Sequence, residues 1–318
     1  MTRFFLGVDG GKSSTTALIG DASGQVAGYG QGGPCNHVGE AGGRAKFTSA
    51  IEVSVSAACA QAGVDFATAA FESACLGFSG GPAYKESILR EILNCRRLIV
   101  TDDALIALAG ATAGEPGLIV IAGTGSIAFG RNAAGKTARA GGWGYIFGDE
   151  GSGLDIARQA LRAALRYEEG WGPPTALREV LLHESGSRDA NEALHRFYTS
   201  DFPRPRVASF AVSVDRAAHN GDAVAIQILE TAAQQLATAA GAVRAQLFSP
   251  GERTRVSYIG GVFRSARLLE RFRMLVELEE GNSVAAPVYG PAAGALIEAY
   301  RSAGVEVHLS GVPEVEKH

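Results

Sequence analysis

Two adjacent carboxylates stand where a short apolar segment ends. Asp102 and Asp103 follow Arg97–Thr101, whose composition is typical of a buried strand, and they precede a helical pattern that runs to Ala113. Ligand clefts of α/β proteins lie at the carboxyl ends of strands. One of the two carboxylates can cap the helix, and the other is then free to act as a general base. Two capping or solvated carboxylates would fit the sequence about equally well.

Two short glycine-rich loops have the composition of phosphate-binding turns. Gly7–Ser14 reads GVDGGKSS, and Gly123–Ser126 reads GTGS. The first loop is one residue short of the P-loop pattern, and the β-branched segment Thr15–Ile19 follows it instead of a helix, so a P-loop is excluded. A glycine hairpin can still point several backbone N–H groups at one phosphate, and Asp9 could hold Mg²⁺ through water. Taken alone, each loop is better explained as an ordinary turn, but the pair favours a chain of phosphates held from both sides.

The most unusual segment is 141–152, which reads GGWGYIFGDEGS. Five glycines in twelve residues cost backbone entropy, which favours a loop shaped around a ligand. The alternative is a packing corner whose following helix is capped by Asp149 or Ser152. Two further strand ends carry glycines: Ser79–Gly81 could line the same cleft, and Gly260–Gly261 would let a flat ring such as adenine approach the backbone.

These residues depend on a pattern of elements that occurs twice. Strand, glycine turn, strand, turn, strand is predicted at 3–29 and again from 118, each time followed by helices. Two similar α/β halves with a ligand cleft between them are expected. The break at Gly114–Gly117 places the domains at 1–113 and 114–318, with the option that the last helix, near 291–303, packs back on the first domain. The polar segment Gly311–His318 is predicted to be frayed.

Composition and charge restrict the classes of function. The chain has 318 residues, 46% of them apolar, and its formal net charge of −4 argues against a nucleic-acid or anionic-membrane partner. The cysteines at 35, 59, 75 and 95 form no CxxC pair, which gives little support to a zinc or iron–sulfur site. No run of 18 apolar residues and no leader-like segment is present, so the sequence predicts a cytoplasmic protein.

Taken together, the motifs resemble the N-acetylglucosamine kinase group of the BadF/BadG/BcrA/BcrD ATPase family, within the actin, sugar-kinase and chaperone superfamily. The resemblance runs from Gly7 to about Ala295 and is most specific at GGWGYIFGDEGS and at IAGTGS. It implies an α/β fold of two similar ribonuclease H-like (actin-like ATPase) domains around a central cleft. It also implies ATP and Mg²⁺ as cofactors, a small-molecule sugar as substrate, and a homodimer.

The resemblance assigns roles to individual residues. Asp103 becomes the catalytic base, with Asp102 in the position before it, and Asp9 lies near magnesium, which it would hold through water. The residues implied to bind ATP are Gly10, Gly11, Lys12, Ser13, Gly123, Thr124, Gly125, Gly260 and Gly261. The residues implied to contact the sugar are Asn36, Ser79, Gly142, Trp143 and Asp149.

The activity implied is ATP-dependent phosphorylation of an amino sugar, at the 6-hydroxyl of N-acetylglucosamine. Glucosamine, N-acetylmuramic acid and other amino sugars are alternative acceptors. A second alternative is an ATPase activator of a 2-hydroxyacyl-CoA dehydratase, but such activators share an iron–sulfur cluster and the second half of this chain has no cysteine. A third is a non-catalytic sugar sensor, which the presence of Asp103, both phosphate loops and Asp149 argues against.

Overall fold

The computed structural model describes residues 3–35, 42–81 and 83–317. They form two compact units, Met1–Gly117 together with Ala286–His318, and Leu118–Ala285. The sequence places a boundary between 113 and 114 and leaves open that the last helix, near 291–303, packs back on the first domain. In the structure the segment from Ala286 onward lies in the first unit.

The first unit contains a five-stranded sheet in the order β3-β2-β1-β4-β5. Its strands are β1 Phe4–Gly10, β2 Thr15–Asp21, β3 Val26–Gly32, β4 Phe71–Phe78 and β5 Leu98–Asp102. The helices between and after them are α1 Gly43–Gln61, α2 Lys85–Ile92 and α3 Asp103–Ala111. The first three strands are an antiparallel meander, and β4 and β5 run parallel to β1.

The second unit repeats this sheet, in the order β10-β9-β6-β7-β8. Its strands are β6 Gly117–Ala122, β7 Ser126–Arg131, β8 Thr137–Gly141, β9 Thr254–Ile259 and β10 Asn282–Ala285. Its helices are α4 Gly153–Glu168, α5 Leu177–Ser185, α6 Ala190–Phe197, α7 Arg204–Ser209, α8 Ala211–His219, α9 Ala223–Leu247 and α10 Ala266–Val276. Strands β9 and β10 are parallel to β6.

A three-stranded meander followed by two parallel strands is the sheet of the ribonuclease H-like fold. Its occurrence in both units confirms the predicted α/β class with two similar actin-like ATPase domains. The predicted face of the first long helix is also confirmed, because Phe47, Ile51 and Val55 of α1 are fully buried against the first sheet. None of the helices that the structure describes is long and apolar enough to cross a membrane.

The last helix, α11 (Pro291–Ser302), covers the opposite face of the first sheet. It lies so close to β1 that a Cβ atom on Gly7 would overlap the backbone of Leu296. It lies equally close to α3, because a Cβ atom on Gly294 would overlap the carbonyl oxygen of Ile106 and the amide of Gly110. Helix α11 therefore touches the backbone of both elements that carry the candidate acids, Asp9 on β1 and Asp103 on α3.

The prediction that Gly311–His318 is frayed is wrong for residues 311–317, the part of this segment that the structure describes. Val312 and Glu316 are each only 6% exposed, and a short 3-10 turn forms at Glu314–Glu316. The segment just before is tied to the β2–β3 turn, where the amide of Val26 donates to the carbonyl of Ser310 at 2.9 Å. The polar composition misled because the anchors are single residues at irregular spacing, which leave no periodic pattern.

The contact between α11 and α3 predicts the effect of Gly294→Ala. The new methyl group would meet backbone atoms, which cannot move aside, so the substitution should lower the free energy of unfolding by roughly 1–3 kcal/mol. Thermal unfolding should show a melting temperature several degrees lower. Gly241→Ala is the matched control, because Gly241 is also helical but has open space around its Cα, and there alanine should raise stability slightly. Equal effects of the two substitutions would contradict the close contact.

Candidate active site

The two adjacent carboxylates have different surroundings in the first unit. Asp102 is the N-cap of α3, and its Oδ1 accepts a hydrogen bond from the amide of Leu105 at 2.9 Å. Asp103 is the first residue of the helix, and its Oδ2 accepts a hydrogen bond from the hydroxyl of Ser79 at 2.8 Å. Helix capping therefore occupies Asp102, and the Asp103 carboxylate is held by a side chain from the neighbouring strand end.

The turn that carries Ser79 is held in place by the side chain of Lys85. Lys85 is buried, and its ammonium group donates to the carbonyl oxygen of Gly81 at 2.5 Å and lies 5.2 Å from the centroid of the Phe78 ring. Burial lowers the pKa of Lys85. The amide of Ser79 donates to the carbonyl of Gly10 at 3.3 Å. Sequence reasoning missed Lys85, which lies in an otherwise ordinary polar stretch.

Asp9 lies at the end of β1, beside the first glycine loop. Burial raises the pKa of Asp9 to about 7, with further contributions from the negative charges of Glu316 and Asp103. The loop is closed by a hydrogen bond from the amide of Gly11 to the carbonyl of Ser14 at 2.9 Å. Lys12 and Ser13 at its tip are exposed. The charge of Asp103 therefore acts on Asp9, and Gly10 and Gly11 follow Asp9 directly in the chain.

Asn36, an expected sugar contact, lies outside the residues that the structure describes. The four cysteines are free thiols; Cys35, Cys59 and Cys75 are buried and Cys95 is half-buried. Among residues 3–35, 42–81 and 83–317, no group of three or more histidine, cysteine, aspartate or glutamate side chains is placed to hold a metal ion directly.

The second glycine loop lies in the second unit and is fastened to segment 141–152. The amide of Ser126 donates to Oδ1 of Asp149 at 3.1 Å, and its hydroxyl donates to the carbonyl of Glu150 at 2.7 Å. The carbonyl of Ser126 accepts from the amide of Gly142 at 3.0 Å, and Gly123 accepts from the amide of Gly153 at 2.8 Å. We call Gly123–Ser126 the GTGS hairpin and 141–152 the glycine-rich loop. Four hydrogen bonds join the hairpin to this loop and to the helix that follows it.

Asp149 has an unusual backbone for a residue with a side chain, since its φ is +65°. Asp and Asn are the residues other than glycine that adopt this left-handed conformation most readily. A Cβ atom on Gly125 would lie only 2.8 Å from Oδ1 of Asp149, so the carboxylate fills the space that Gly125 leaves open. The cap of α4 is Ser152, which accepts from the amide of Asp155 at 3.2 Å. Asp149 is thus held against the GTGS hairpin and does not cap α4.

The glycine-rich loop also carries large exposed side chains. Trp143, Ile146 and Phe147 are 65%, 70% and 81% exposed. The guanidinium group of Arg139 lies 4.4 Å from the centroid of the Trp143 ring, a cation–π contact. Gly142 packs beside Ile127 with φ of +73°. The loop therefore presents an apolar surface with a fixed cation next to it.

A cavity of about 500 Å³ lies within the second unit, beside the GTGS hairpin. Gly123, Thr124 and Gly261 form part of its wall. The neighbouring Gly260 has φ of +116°, and a Cβ there would overlap the carbonyl of Ala122. Its apolar lining includes Ile156, Pro205, Ala208, Ala211, Val212, Leu229 and Val262. The size suits a nucleoside, since ligand pockets generally have volumes of about 300–1,000 Å³.

One acidic side chain lines this cavity. Asp215 on α8 accepts a hydrogen bond through Oδ1 from the hydroxyl of Ser265, the N-cap of α10. Sequence reasoning missed the whole wall formed by α7 and α8. These helices are far from the glycine motifs in the chain, and their residues carry no motif that could have indicated the cavity.

Comparison with known proteins gives the family. The N-acetylmuramic acid/N-acetylglucosamine kinase of Clostridium acetobutylicum is 35% identical to this chain over 210 residues, which cover 64% of the chain and 69% of the relative. The N-acetyl-D-glucosamine kinase of Dictyostelium discoideum is 33% identical over 193 residues, 57% of the chain and 60% of the relative.

A solved structure extends the likeness to nearly the whole fold. A protein from Chromobacterium violaceum, provisionally assigned as an N-acetylglucosamine kinase, is 27% identical and superposes with a TM-score of 0.69 over 93% of this chain and 98% of that one. The family model of the BadF/BadG/BcrA/BcrD ATPases matches residues 6–299. The chain therefore belongs to the BadF/BadG/BcrA/BcrD ATPase family, as the glycine motifs predicted.

Proposed function

We propose that this protein is an ATP-dependent amino-sugar kinase that phosphorylates the 6-hydroxyl of N-acetylglucosamine. The observation that carries the proposal is the Asp103 carboxylate, held by Ser79 at the end of β5 and close to Asp9. The similarity to two curated kinases named for N-acetylglucosamine supports this acceptor. A cytoplasmic homodimer, implied by the family resemblance, is part of the proposal, and its native mass in solution would check the dimer.

ATP is proposed to bind with its adenosine in the 500 Å³ cavity of the second unit. Gly261, which follows Gly260, supplies part of the wall without a side chain there, and the triphosphate would extend past Gly123, Thr124 and Gly125. Backbone N–H groups of such hairpins suit phosphate oxygens. The first glycine loop, Gly10–Ser13, is proposed to contact the terminal phosphates.

The residues beside the first glycine loop fit a magnesium ion held through water. Asp9 offers carboxylate oxygens, the donors that Mg²⁺ prefers, and no direct cage of three side chains surrounds it among the described residues. Glu316 and Asp103 add negative charge nearby. When bound, Mg²⁺ would neutralise charge on the phosphates as it develops.

The reaction is proposed to use Asp103 as general base. Its carboxylate would accept the proton of the sugar 6-hydroxyl while that oxygen forms a bond to the γ-phosphorus. The bond between the γ-phosphorus and the bridging oxygen breaks, and ADP leaves. Ser79 holds the Asp103 carboxylate in place through its hydroxyl. Positioning and charge neutralisation would supply most of the rate acceleration, as in other phosphoryl transfers.

The sugar is proposed to lie against Asn36, Ser79, Gly142, Trp143 and Asp149. The exposed apolar side chains of the glycine-rich loop suit the methyl group of an N-acetyl substituent better than a free ammonium group. This favours N-acetylglucosamine over glucosamine as acceptor.

One observation favours N-acetylmuramic acid as a second acceptor. The guanidinium group of Arg139 lies against Trp143, and the described part of the chain places no carboxylate in a salt bridge with it. A cation beside the sugar loop suits the lactyl carboxylate of that sugar. The curated relative at 35% identity is named for both substrates.

An assay across acceptors checks the proposed function. With Mg²⁺ and ATP, release of ADP should depend on an added sugar, strongest with N-acetylglucosamine and measurable with N-acetylmuramic acid. Glucosamine and glucose should be poorer acceptors. Chelation of divalent ions should stop turnover, and added Mg²⁺ should restore it. Turnover that ignores chelation, or that no amino sugar stimulates, would exclude this kinase mechanism.

The different surroundings of the two acids predict different mutant effects. Asp103→Asn should lower kcat by roughly 10²–10⁴, the usual cost of losing a general base. Binding of ATP, measured by calorimetry, should change little. Asp102→Asn is the control, since asparagine is also a good N-cap and the helix should stay capped. An inactive Asp102→Asn variant beside an active Asp103→Asn variant would reverse the assignment.

The contact between Asp149 and Ser126 predicts that the glycine-rich loop affects ATP as well as sugar. Asp149→Ala removes the acceptor for the Ser126 amide, so the GTGS hairpin loses one tether. The KM for ATP should rise by about 5- to 100-fold, which corresponds to about 1–3 kcal/mol, together with the KM for sugar. Asp149→Asn keeps both an oxygen acceptor and tolerance of positive φ, and should leave the KM for ATP nearly unchanged. If the alanine variant raises only the KM for sugar, the contact between Asp149 and Ser126 does not contribute to ATP binding.

A further inference from the structure

The first turn of α11 is capped by a side chain from a distant part of the chain. Its own N-cap residue, Gly290, has no side chain, so the first amides of the helix need acceptors from elsewhere. Glu316 supplies them: its Oε2 accepts from the amide of Ala293 at 3.1 Å, and its backbone carbonyl accepts from the amide of Gly290 at 2.8 Å. An acidic group at a helix N-terminus is also favoured by the helix dipole.

Glu316 is fixed in this position. Its side chain is buried, and burial raises the pKa of its carboxyl group, while hydrogen bonds from the amides of Ala293 and Ala292 act in the opposite direction. The backbone of Lys317 forms an isolated antiparallel β-bridge with Tyr289, just before the helix. The ammonium group of Lys317 forms a salt bridge with Glu314 at 2.6 Å. The last turn of the chain is therefore held against the start of α11 from both sides.

The start of α11 is in turn connected to the end of α3. The amides of Val288 and Tyr289 donate to the carbonyls of Ala111 and Gly110, each at 3.1 Å. Further along, Gly294 touches the backbone of α3, and Leu296 touches β1 at Gly7. A shift of the α11 N-terminus must therefore be transmitted to α3, which begins at Asp103, and to β1, which carries Asp9.

Residues 300–318 lie beyond the family match, which ends at 299. Glu316 is nevertheless close enough to Asp9 for its charge to raise the pKa of that acid. A segment outside the family region therefore contributes to the surroundings of the candidate catalytic acids.

We propose that Glu316 is a positioning residue for the kinase reaction, which caps α11 and thereby holds Asp103 and Asp9 in their productive places. The proposal rests on the proposed kinase function. It assigns the C-terminal segment to the active site, although Glu316 itself need not touch ATP or sugar.

The test compares Glu316→Ala with Glu316→Gln. Alanine removes the acceptor for the Ala293 amide, whereas glutamine keeps a carbonyl oxygen in the same place. In Glu316→Ala, kcat should fall about tenfold or more, with the KM for sugar within about twofold of the wild type. Glu316→Gln should recover most of the lost kcat. A defect of equal size in both variants, or normal kcat in Glu316→Ala, would overturn the proposal.

Two more variants keep the test independent of simple loss of stability. Tyr300→Phe removes the hydrogen bond from the Tyr300 hydroxyl to the carbonyl of Asp21 at the other end of α11, and should lower the melting temperature with kcat unchanged. Gly290→Ala would push a methyl group into the Glu316 carboxylate, and should reproduce the defect of Glu316→Ala without changing the acid. If Tyr300→Phe loses as much kcat as Glu316→Ala, stability explains the effect and the proposal fails.

Hydrogen exchange supplies a readout that does not need activity. Peptides from β1 and from the start of α3 should exchange faster in Glu316→Ala and at the wild-type rate in Glu316→Gln. Unchanged exchange in Glu316→Ala would overturn the positioning role even if kcat falls. A wild-type protein that phosphorylates no amino sugar would instead refute the proposed function, and the exchange measurement would still decide whether Glu316 holds β1 and α3.

Discussion

The backbone contact of α11 with β1 and α3 is the constraint on which the arrangement of the candidate acids in the first unit depends. Helices normally pack through side chains at 8–10 Å between axes, but here Gly7 and Gly294 remove the side chains at the two contact points. One helix can therefore reach the backbone of both β1 and α3. The strand order β1-β4-β5 places the carboxyl ends of these strands at one edge of the sheet, and the charge of Asp103 acts on Asp9.

In the second unit, hydrogen bonds rather than close backbone packing hold the candidate site residues in place. Ser126 is joined by hydrogen bonds to Asp149, Glu150 and Gly142, which tie the GTGS hairpin to the glycine-rich loop. These side-chain contacts are partly buried, and the loss of one partner leaves the other with fewer hydrogen bonds. The motif proposed for phosphate and the motif proposed for sugar are therefore linked by direct hydrogen bonds in the folded protein.

The sequence predicted what local composition encodes and missed what distant contacts create. The repeated meander, the long helix with Phe47 and Ile51, and the glycine motifs were readable because period and turn residues are local signals. Which of Asp102 and Asp103 caps α3 was not readable, since a sequence pattern leaves a helix boundary uncertain by one or two residues. The contact of Asp103 with Ser79 was not readable either, because it joins two distant segments. The ordered conformation of the C-terminal segment and the cavity wall at Asp215 were missed for the same reason. Each depends on contacts between residues far apart in the sequence, and such contacts leave no repeating pattern.

The left-handed backbone of Asp149 limits how this protein can be re-engineered. If the glycine-rich loop is randomised to accept new sugars, every residue introduced at position 149 must adopt a φ near +65°. Only glycine, asparagine and aspartate adopt this conformation readily. Of these, glycine has no side-chain oxygen that could accept a hydrogen bond from the Ser126 amide. Position 149 is thus restricted to aspartate and asparagine. Changes in sugar specificity must come from neighbours such as Arg139 and Trp143, whose side chains are not needed to hold the GTGS hairpin.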